Sequence, residues 1–192
     1  MRIIAGTARG RKLISPGSKG AKNEIRPTSD RAREALFNIL ADKVRGSKVL
    51  DLFAGTDALG LEALSRGADS ALFIDKGSAA VELIRKNIYL TGFSENSFVL
   101  KKDLSRGLIV DEDYIPAGGF TLVFLDPPYM TSFTEKLLYI LGRCNFISDN
   151  CTVVAESNAS DHLPVEAGAL KLYDQRQYGE TGFWLYLLQD KG

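Results

Sequence analysis

From Ser47 onward the chain alternates short apolar runs with stretches whose apolar residues recur at helical spacing. Val49-Leu50-Asp51-Leu52-Phe53 predicts a strand, Ala58 to Arg66 a helix closing at Gly67, and Ala71-Leu72-Phe73-Ile74-Asp75 a second strand. A helix from about Ser78 to Leu90 and strands over Ser97 to Leu100, Phe120 to Leu125 and Cys151 to Ala155 follow, with a helix around Ser132 to Leu141 before the last of them. Strands that are apolar throughout and separated by helices bury both faces, which predicts a parallel sheet covered on two sides. The alternation then breaks. Leu170 to Tyr178, a Gly179-Glu180-Thr181-Gly182 turn and Phe183 to Leu188 read as an antiparallel hairpin. The expected fold class is therefore α/β, a Rossmann-like sheet that ends in a hairpin.

The first 45 residues follow another rhythm. Arg2-Ile3-Ile4-Ala5 and Arg11-Lys12-Leu13-Ile14, joined through Gly6 to Gly10, predict a hairpin, and Ser15 to Lys22 predicts a loop. Pro27-Thr28-Ser29-Asp30 predicts a helix start, capped by Thr28 or Ser29, with Ala32, Ala35, Leu36, Ile39 and Leu40 as its apolar stripe. The chain is thus expected to divide into an extension over 1–45 and a larger domain over 46–192. Charge sharpens the division. Net charge is zero, yet residues 1–45 hold eleven basic side chains against four acidic ones, an excess of seven that the remaining residues offset. Such asymmetry suggests a basic arm that meets phosphate, attached to an acidic body.

Composition narrows the classes. Hydrophobic residues at 45% and charged residues at 25% are ordinary for a globular chain, and no apolar run approaches the roughly 20 residues of a membrane-spanning helix. The N-terminal apolar stretch is too short for a signal peptide. Cys144, Cys151 and the single His162 offer neither a disulfide framework nor a metal ligand set, so no metal is expected and a reducing cytoplasm is.

Asp51-Leu52-Phe53-Ala54-Gly55-Thr56-Asp57-Ala58-Leu59-Gly60 lies where the first strand meets a helix, the place where open α/β sheets collect ligands. An NTPase phosphate loop needs Lys-Ser/Thr after its last glycine, but Leu61-Glu62 follow Gly60. A dinucleotide fingerprint needs a middle glycine, and Asp57 stands in its place, where a carboxylate would repel pyrophosphate. S-adenosylmethionine carries a sulfonium and an ammonium, and an acidic loop suits that cation. Asp75, 24 positions after Asp51, is placed to accept from ribose hydroxyls, and Asp103 from the adenine amine. Each carboxylate, taken alone, is as readily a helix cap or a solvated strand end. Three acids closing three successive strands weaken that plainer reading.

Leu125-Asp126-Pro127-Pro128-Tyr129 carries most of the chemical information. Two prolines lack N–H donors and hold the backbone extended, so the turn presents Asp126 and a prolyl carbonyl as rigid acceptors. An amine conjugated to an aromatic ring is a poor nucleophile because its lone pair is delocalised. Two acceptors gripping its N–H groups favour a pyramidal nitrogen with the lone pair free to attack a methyl carbon. Tyr129 is placed to stack on a flipped base.

Asp126-Pro127-Pro128-Tyr129 is similar to the signature of methyltransferases acting on base amines, and further blocks narrow the resemblance. Arg2-Ile3-Ile4-Ala5-Gly6, Arg9-Gly10-Arg11-Lys12-Leu13, Arg26-Pro27-Thr28-Ser29-Asp30-Arg31, Arg33-Glu34-Ala35-Leu36-Phe37-Asn38, Gly60-Leu61-Glu62-Ala63-Leu64-Ser65-Arg66-Gly67-Ala68 and Gln177-Tyr178-Gly179 resemble the RsmD family. These are bacterial guanine-N2 methyltransferases of 16S ribosomal RNA, and the likeness covers essentially the whole chain. It implies a class I methyltransferase sheet of seven strands with the last inserted antiparallel, preceded by a hairpin-plus-helix extension. It implies S-adenosyl-L-methionine held by Asp51, Phe53, Ala54, Gly55, Thr56, Gly60, Asp75, Lys76 and Asp103, with guanine at Asp126, Pro127, Pro128 and Tyr129. RNA would meet Arg9, Arg11, Lys12, Arg26, Thr28, Arg31 and Asn38. The partner implied is 16S rRNA in the small subunit or an assembly intermediate, with no membrane and a monomeric enzyme. One departure is Asp57, where the family pattern has glycine: it either crowds the methionine end of the cofactor or caps the following helix. Rival readings are a DNA adenine or cytosine amino-methyltransferase, which usually appends a sequence-reading domain, and a non-catalytic RNA-binding factor on the same scaffold.

Overall fold

The computed structural model describes residues 1–15, 29–55, 59–127 and 131–189. The N-terminal arm leads to helix α1 (Asp30–Leu40), where the Ser29 hydroxyl accepts from the Ala32 N–H at 3.1 Å and so fixes the helix start. Alternating units follow: β1 (Lys48–Leu52), α2 (Leu59–Ser65), β2 (Ser70–Asp75), α3 (Ser78–Thr91), β3 (Ser97–Lys101), β4 (Phe120–Leu125), α4 (Thr131–Leu141) and β5 (Ile147–Asn158). The chain then folds into β6 (Glu166–Ala167), β7 (Leu170–Tyr178) and β8 (Thr181–Leu188).

Among the described residues, eight strands form one sheet in the order β3-β2-β1-β4-β5-β8-β7-β6. The first five run parallel, and β8 enters antiparallel between β5 and β7. Seven strands with the last inserted antiparallel were expected; the two-residue β6 is additional and too short to leave a periodic signal. Strand β5 also begins earlier than the apolar run at Cys151, because Ile147 pairs with Phe120 across an irregular register.

Side chains alternate across the sheet, so each strand feeds two cores. Val49, Phe73, Phe124 and Val154 face a layer built by Leu36, Phe37 and Leu40 of α1, Leu61 of α2 and Ile84 and Ile88 of α3. Leu50, Leu52, Leu72 and Val123 face the other layer, with Leu137, Leu138 and Leu141 of α4 and Trp184 of β8. This double burial is why the strands read as continuous apolar runs. The rings of Phe37 and Phe124 stand 5.8 Å apart, so α1 shares one core with the sheet. Among the described residues, no helix is long and apolar enough to cross a membrane.

The expected hairpin over residues 1–14 is reduced to a single antiparallel bridge, Arg2 with Lys12, flanked by bonds from Ile3 N–H to the Arg11 carbonyl and from Leu13 N–H to the Met1 carbonyl. The pairing stops because a competing acceptor wins. The Ile4 and Ala5 N–H groups donate to the two carboxylate oxygens of Glu62, at 2.8 and 3.0 Å. The predicted loop over 15–22 lies, from residue 16, outside the described residues, as do the predicted helix start at Pro27-Thr28 and the residue at 58.

Candidate active site

Strand β1 lies between β2 and β4, and the chain leaves β1 toward α2 but leaves β4 toward α4, on the opposite face of the sheet. Such a reversal is where open α/β sheets hold ligands, in the crevice beyond the carboxyl ends of the strands, here β1 and β4. Leu52 and Leu125 are register partners, so the next residues, Phe53 and Asp126, emerge level with each other. The half-buried Asp126 approaches the Leu52 carbonyl through its own N–H at 3.5 Å, and Pro127 behind it is buried. Pro128 and Tyr129 lie outside the described residues, as do Thr56 and Asp57 of the glycine loop.

The loop after β1 is shaped by neighbouring acids. The Ala54 N–H extends the β1–β2 ladder to the Ile74 carbonyl at 3.1 Å, after which the Gly55 N–H turns to Asp75 Oδ2 at 3.0 Å. Gly55 has φ +31°, a backbone state that a β-carbon disfavours. Asp75 Oδ1 accepts from the Gly77 N–H at 2.7 Å, so this one carboxylate ties the loop to the start of α3. Gly60 has a different reason to be glycine: a β-carbon there would sit 2.5 Å from the Phe73 ring, and its N–H donates to buried Asp51 at 2.8 Å. Asp103 accepts from both the N–H and the hydroxyl of Ser105, at 3.0 and 2.7 Å, and these bonds hold its carboxyl below the usual carboxylate range. Arg106 and the exposed Lys76 lower it further.

All three strand-end carboxylates therefore do cap backbone N–H groups, as the plainer reading of the sequence had it. Asp51 is consumed in the interior. Asp75 and Asp103 are only partly covered, and each oxygen of a carboxylate has a second lone pair to offer. With Asp126 on the far side of β1, the edge presents acidic acceptors to whatever occupies the crevice. This set of acceptors fits a ligand with hydroxyl and amine hydrogens and positive charge, and it opposes a pyrophosphate.

A residue pair absent from the sequence reading links the two sides. Phe53 adopts φ +64°, rare for a residue with a β-carbon, and its ring meets Phe133 of α4 edge-on with centroids 5.6 Å apart. The glycine loop is thereby braced against the helix that follows the Asp-Pro turn.

The expected RNA contacts are dispersed. Arg9, Arg11, Lys12, Arg31 and Asn38 are all exposed, whereas Arg26 and Thr28 lie outside the described residues. Arg11 Nη1 donates to the Leu90 carbonyl at 2.9 Å, which places it near the end of α3 farthest from the carboxylates. Arg33 and Glu62, inside quoted motifs but assigned no role, are 1% and 0% exposed. Glu62 receives the arm's two N–H groups and Arg66 Nε at 2.7 Å, and Arg33 Nε stands 4.0 Å away. Arg33 Nη2 donates to the Arg2 carbonyl at 2.6 Å and to Asp30 at 3.0 Å. The available signal was a lone glutamate inside the apolar run Leu59-Gly60-Leu61-Glu62-Ala63-Leu64.

The family model described as Conserved hypothetical protein 95 matches residues 1–187. The chain belongs to that family. Ribosomal RNA small subunit methyltransferase D of Escherichia coli strain K12 is 34% identical over 192 residues, spanning 100% of this chain and 92% of that protein. The RsmD resemblance read from the motifs thus holds across the family's matched length. The solved structure of yhhF from Escherichia coli, 31% identical, covers 98% of each chain with a TM-score of 0.80. An RNA methyltransferase from Salinibacter ruber, solved with S-adenosyl-L-homocysteine, is 17% identical with a TM-score of 0.65 over 86% of this chain and 95% of that one. The family fold is the class I methyltransferase fold.

Proposed function

We propose that the chain transfers a methyl group from S-adenosyl-L-methionine to the exocyclic N2 amine of a guanine in 16S ribosomal RNA. The observation that carries this reading is the juxtaposition of Asp126, at the end of β4, with the acid-tied glycine loop at the end of β1, across the sheet's order switch. Relatives named as small-subunit rRNA methyltransferases support the choice of RNA.

Asp75 would accept from the ribose hydroxyls, Asp103 would face the adenine, and Gly55 would leave room for the ligand's close approach. The cofactor supplies an electrophilic methyl carbon on a sulfonium. Asp126 and the Pro127 carbonyl accept the two N–H groups of the guanine amine and hold its lone pair out of conjugation. Their rigidity matters because Pro127 fixes the backbone between them. As the nitrogen would form its new bond to carbon, the carbon–sulfur bond would break with its electron pair going to sulfur, leaving S-adenosyl-L-homocysteine, and the proton shed by the nitrogen would pass to Asp126 or to water.

Incubation of unmodified small ribosomal subunits with labelled cofactor, followed by nucleoside mass analysis, should yield N2-methylguanosine. Naked 16S transcript and duplex DNA run alongside, and methyl groups appearing only in DNA would sink the RNA reading. Asp126→Ala should lower turnover by at least a hundredfold, in the range of lost transition-state acceptors, with cofactor affinity unchanged. Retained turnover would remove Asp126 from the mechanism.

A further inference from the structure

The exposed face of α3 carries Arg85, Lys86, Tyr89 and Leu90, while Val81, Ile84, Asn87 and Ile88 face the core. Tyr89 is 78% exposed, the most open large hydrophobic side chain among the described residues, with Leu90 at 44% beside it. A lone exposed tyrosine is unremarkable on any surface. Its setting here is not.

The basic arm is bonded onto this helix. Buried Asn87 accepts from the Ile14 N–H at 2.8 Å and donates to the Ile14 carbonyl at 3.0 Å, copying the double pairing of a strand neighbour. One turn further on, Arg11 holds the Leu90 carbonyl, where a cation also meets the negative end of the helix dipole. Arm and helix therefore form one preorganised surface, on which Arg9, Arg11, Lys12, Arg85 and Lys86 are exposed and form no ion pair with a described residue. Glu82, the sole carboxylate of α3, lies three and four positions before Arg85 and Lys86 without pairing to either. Arg85 and Lys86, one turn before Tyr89, and Arg11 at the Leu90 carbonyl set three cations beside an open aromatic ring, which matches a strand of phosphates with an unpaired base.

We infer that the arm–α3 surface is a second, remote RNA anchor, in which Tyr89 stacks on an unpaired base and Arg85 and Lys86 hold its flanking phosphates. The inference rests on the RNA reading of the proposed function and extends it to a site that takes no part in chemistry. Tyr89 is eleven residues beyond the start of α3, about 17 Å along the helix from the carboxylate edge. A base stacked there cannot be the one that reacts. The anchor contributes equally to the bound and the transition states, so its loss raises KM and leaves kcat alone.

The experiment uses the full chain and unmodified small ribosomal subunits, with labelled-methyl transfer read for kcat and KM and filter binding read against salt. Tyr89→Ala should raise KM about tenfold, in line with the loss of one stacked base, at unchanged kcat and salt slope. Tyr89→Phe, which keeps the ring, should match the parent. Arg85→Gln with Lys86→Gln should flatten the slope of log affinity against log salt by about 1.5, two phosphate contacts' worth. Variants that match the parent in KM and slope overturn the anchor while the parent's own methylation of the subunits upholds the proposed function. An equal loss in Tyr89→Phe overturns the stacking role. A parent protein that neither binds nor methylates the subunits overturns the proposed function and the anchor with it.

Discussion

Glu62 shows how much of the N-terminal architecture one side chain can hold. It is fully buried, yet it satisfies two backbone N–H groups of the arm, pairs with Arg66 and faces Arg33, whose Nε and Nη1 make no hydrogen bond. A buried charge left without its counter-charge is far costlier than the pair was favourable. Glu62→Ala should therefore destabilise the fold by about 3–5 kcal/mol, read as a lower urea midpoint. A midpoint within error of the parent would mean that the arm is held by its packing alone. The role was not legible beforehand because Glu62 acts on residues 57 and 58 positions earlier, and periodicity reports only on neighbours. Asp75 and Asp103 were legible, since an acid at a strand end signals itself. What the sequence left open was how they divide their lone pairs, and the structure assigns one share to Gly55, Gly77 and Ser105.

Elements with a strong local pattern came out close to expectation. Strand β4 spans Phe120–Leu125 as the apolar run predicts, and α3 runs one residue beyond the predicted Leu90. The N-terminal hairpin failed as a pair of strands for a non-local reason, the carboxylate of Glu62, and survived as an arm through Asn87. That arm should depend on its amide clasp. Asn87→Ala removes both bonds to Ile14, so trypsin should cut after Arg11 and Lys12 several-fold faster while the domain loses no more than about 1–3 kcal/mol of unfolding free energy. Equal cleavage rates in parent and variant would show that Arg11 and the bridge at Arg2 suffice. The Phe53–Phe133 brace belongs to the same scale: it left no trace in spacing because its partners come from distant elements.

Across the whole molecule the proposed chemistry gathers at the carboxyl ends of the parallel strands, and the proposed RNA grip extends down α3 to the other end. A ligand that joins the glycine loop, Asp75 and Asp103 bridges β1, β2 and β3 at once, so its binding should stabilise the entire domain. S-adenosyl-L-homocysteine at a hundred times its dissociation constant should add about 2.7 kcal/mol, visible as a higher Tm. An unchanged Tm at millimolar ligand would argue that the crevice holds something else. Fold class was readable from alternation, whereas the strand order β3-β2-β1-β4-β5-β8-β7-β6 was not, since periodicity does not say which strands are neighbours. The relation between arm and crevice was not, because the path of a polar surface strand is set by hydrogen bonds that hydropathy does not record.

The position of β8 has a consequence for how the protein is made. Its residues Thr181–Leu188 are made after those of β5 and β7, yet they occupy an interior place in the sheet, with β5 on one side and β7 on the other. Until they arrive, the backbone of β5 from Thr152 to Asn158 presents an unpaired ladder on its outer side, a template for joining another nascent chain. Such long-range pairing is also slow to form. A polypeptide stopped before Thr181 should therefore aggregate instead of folding.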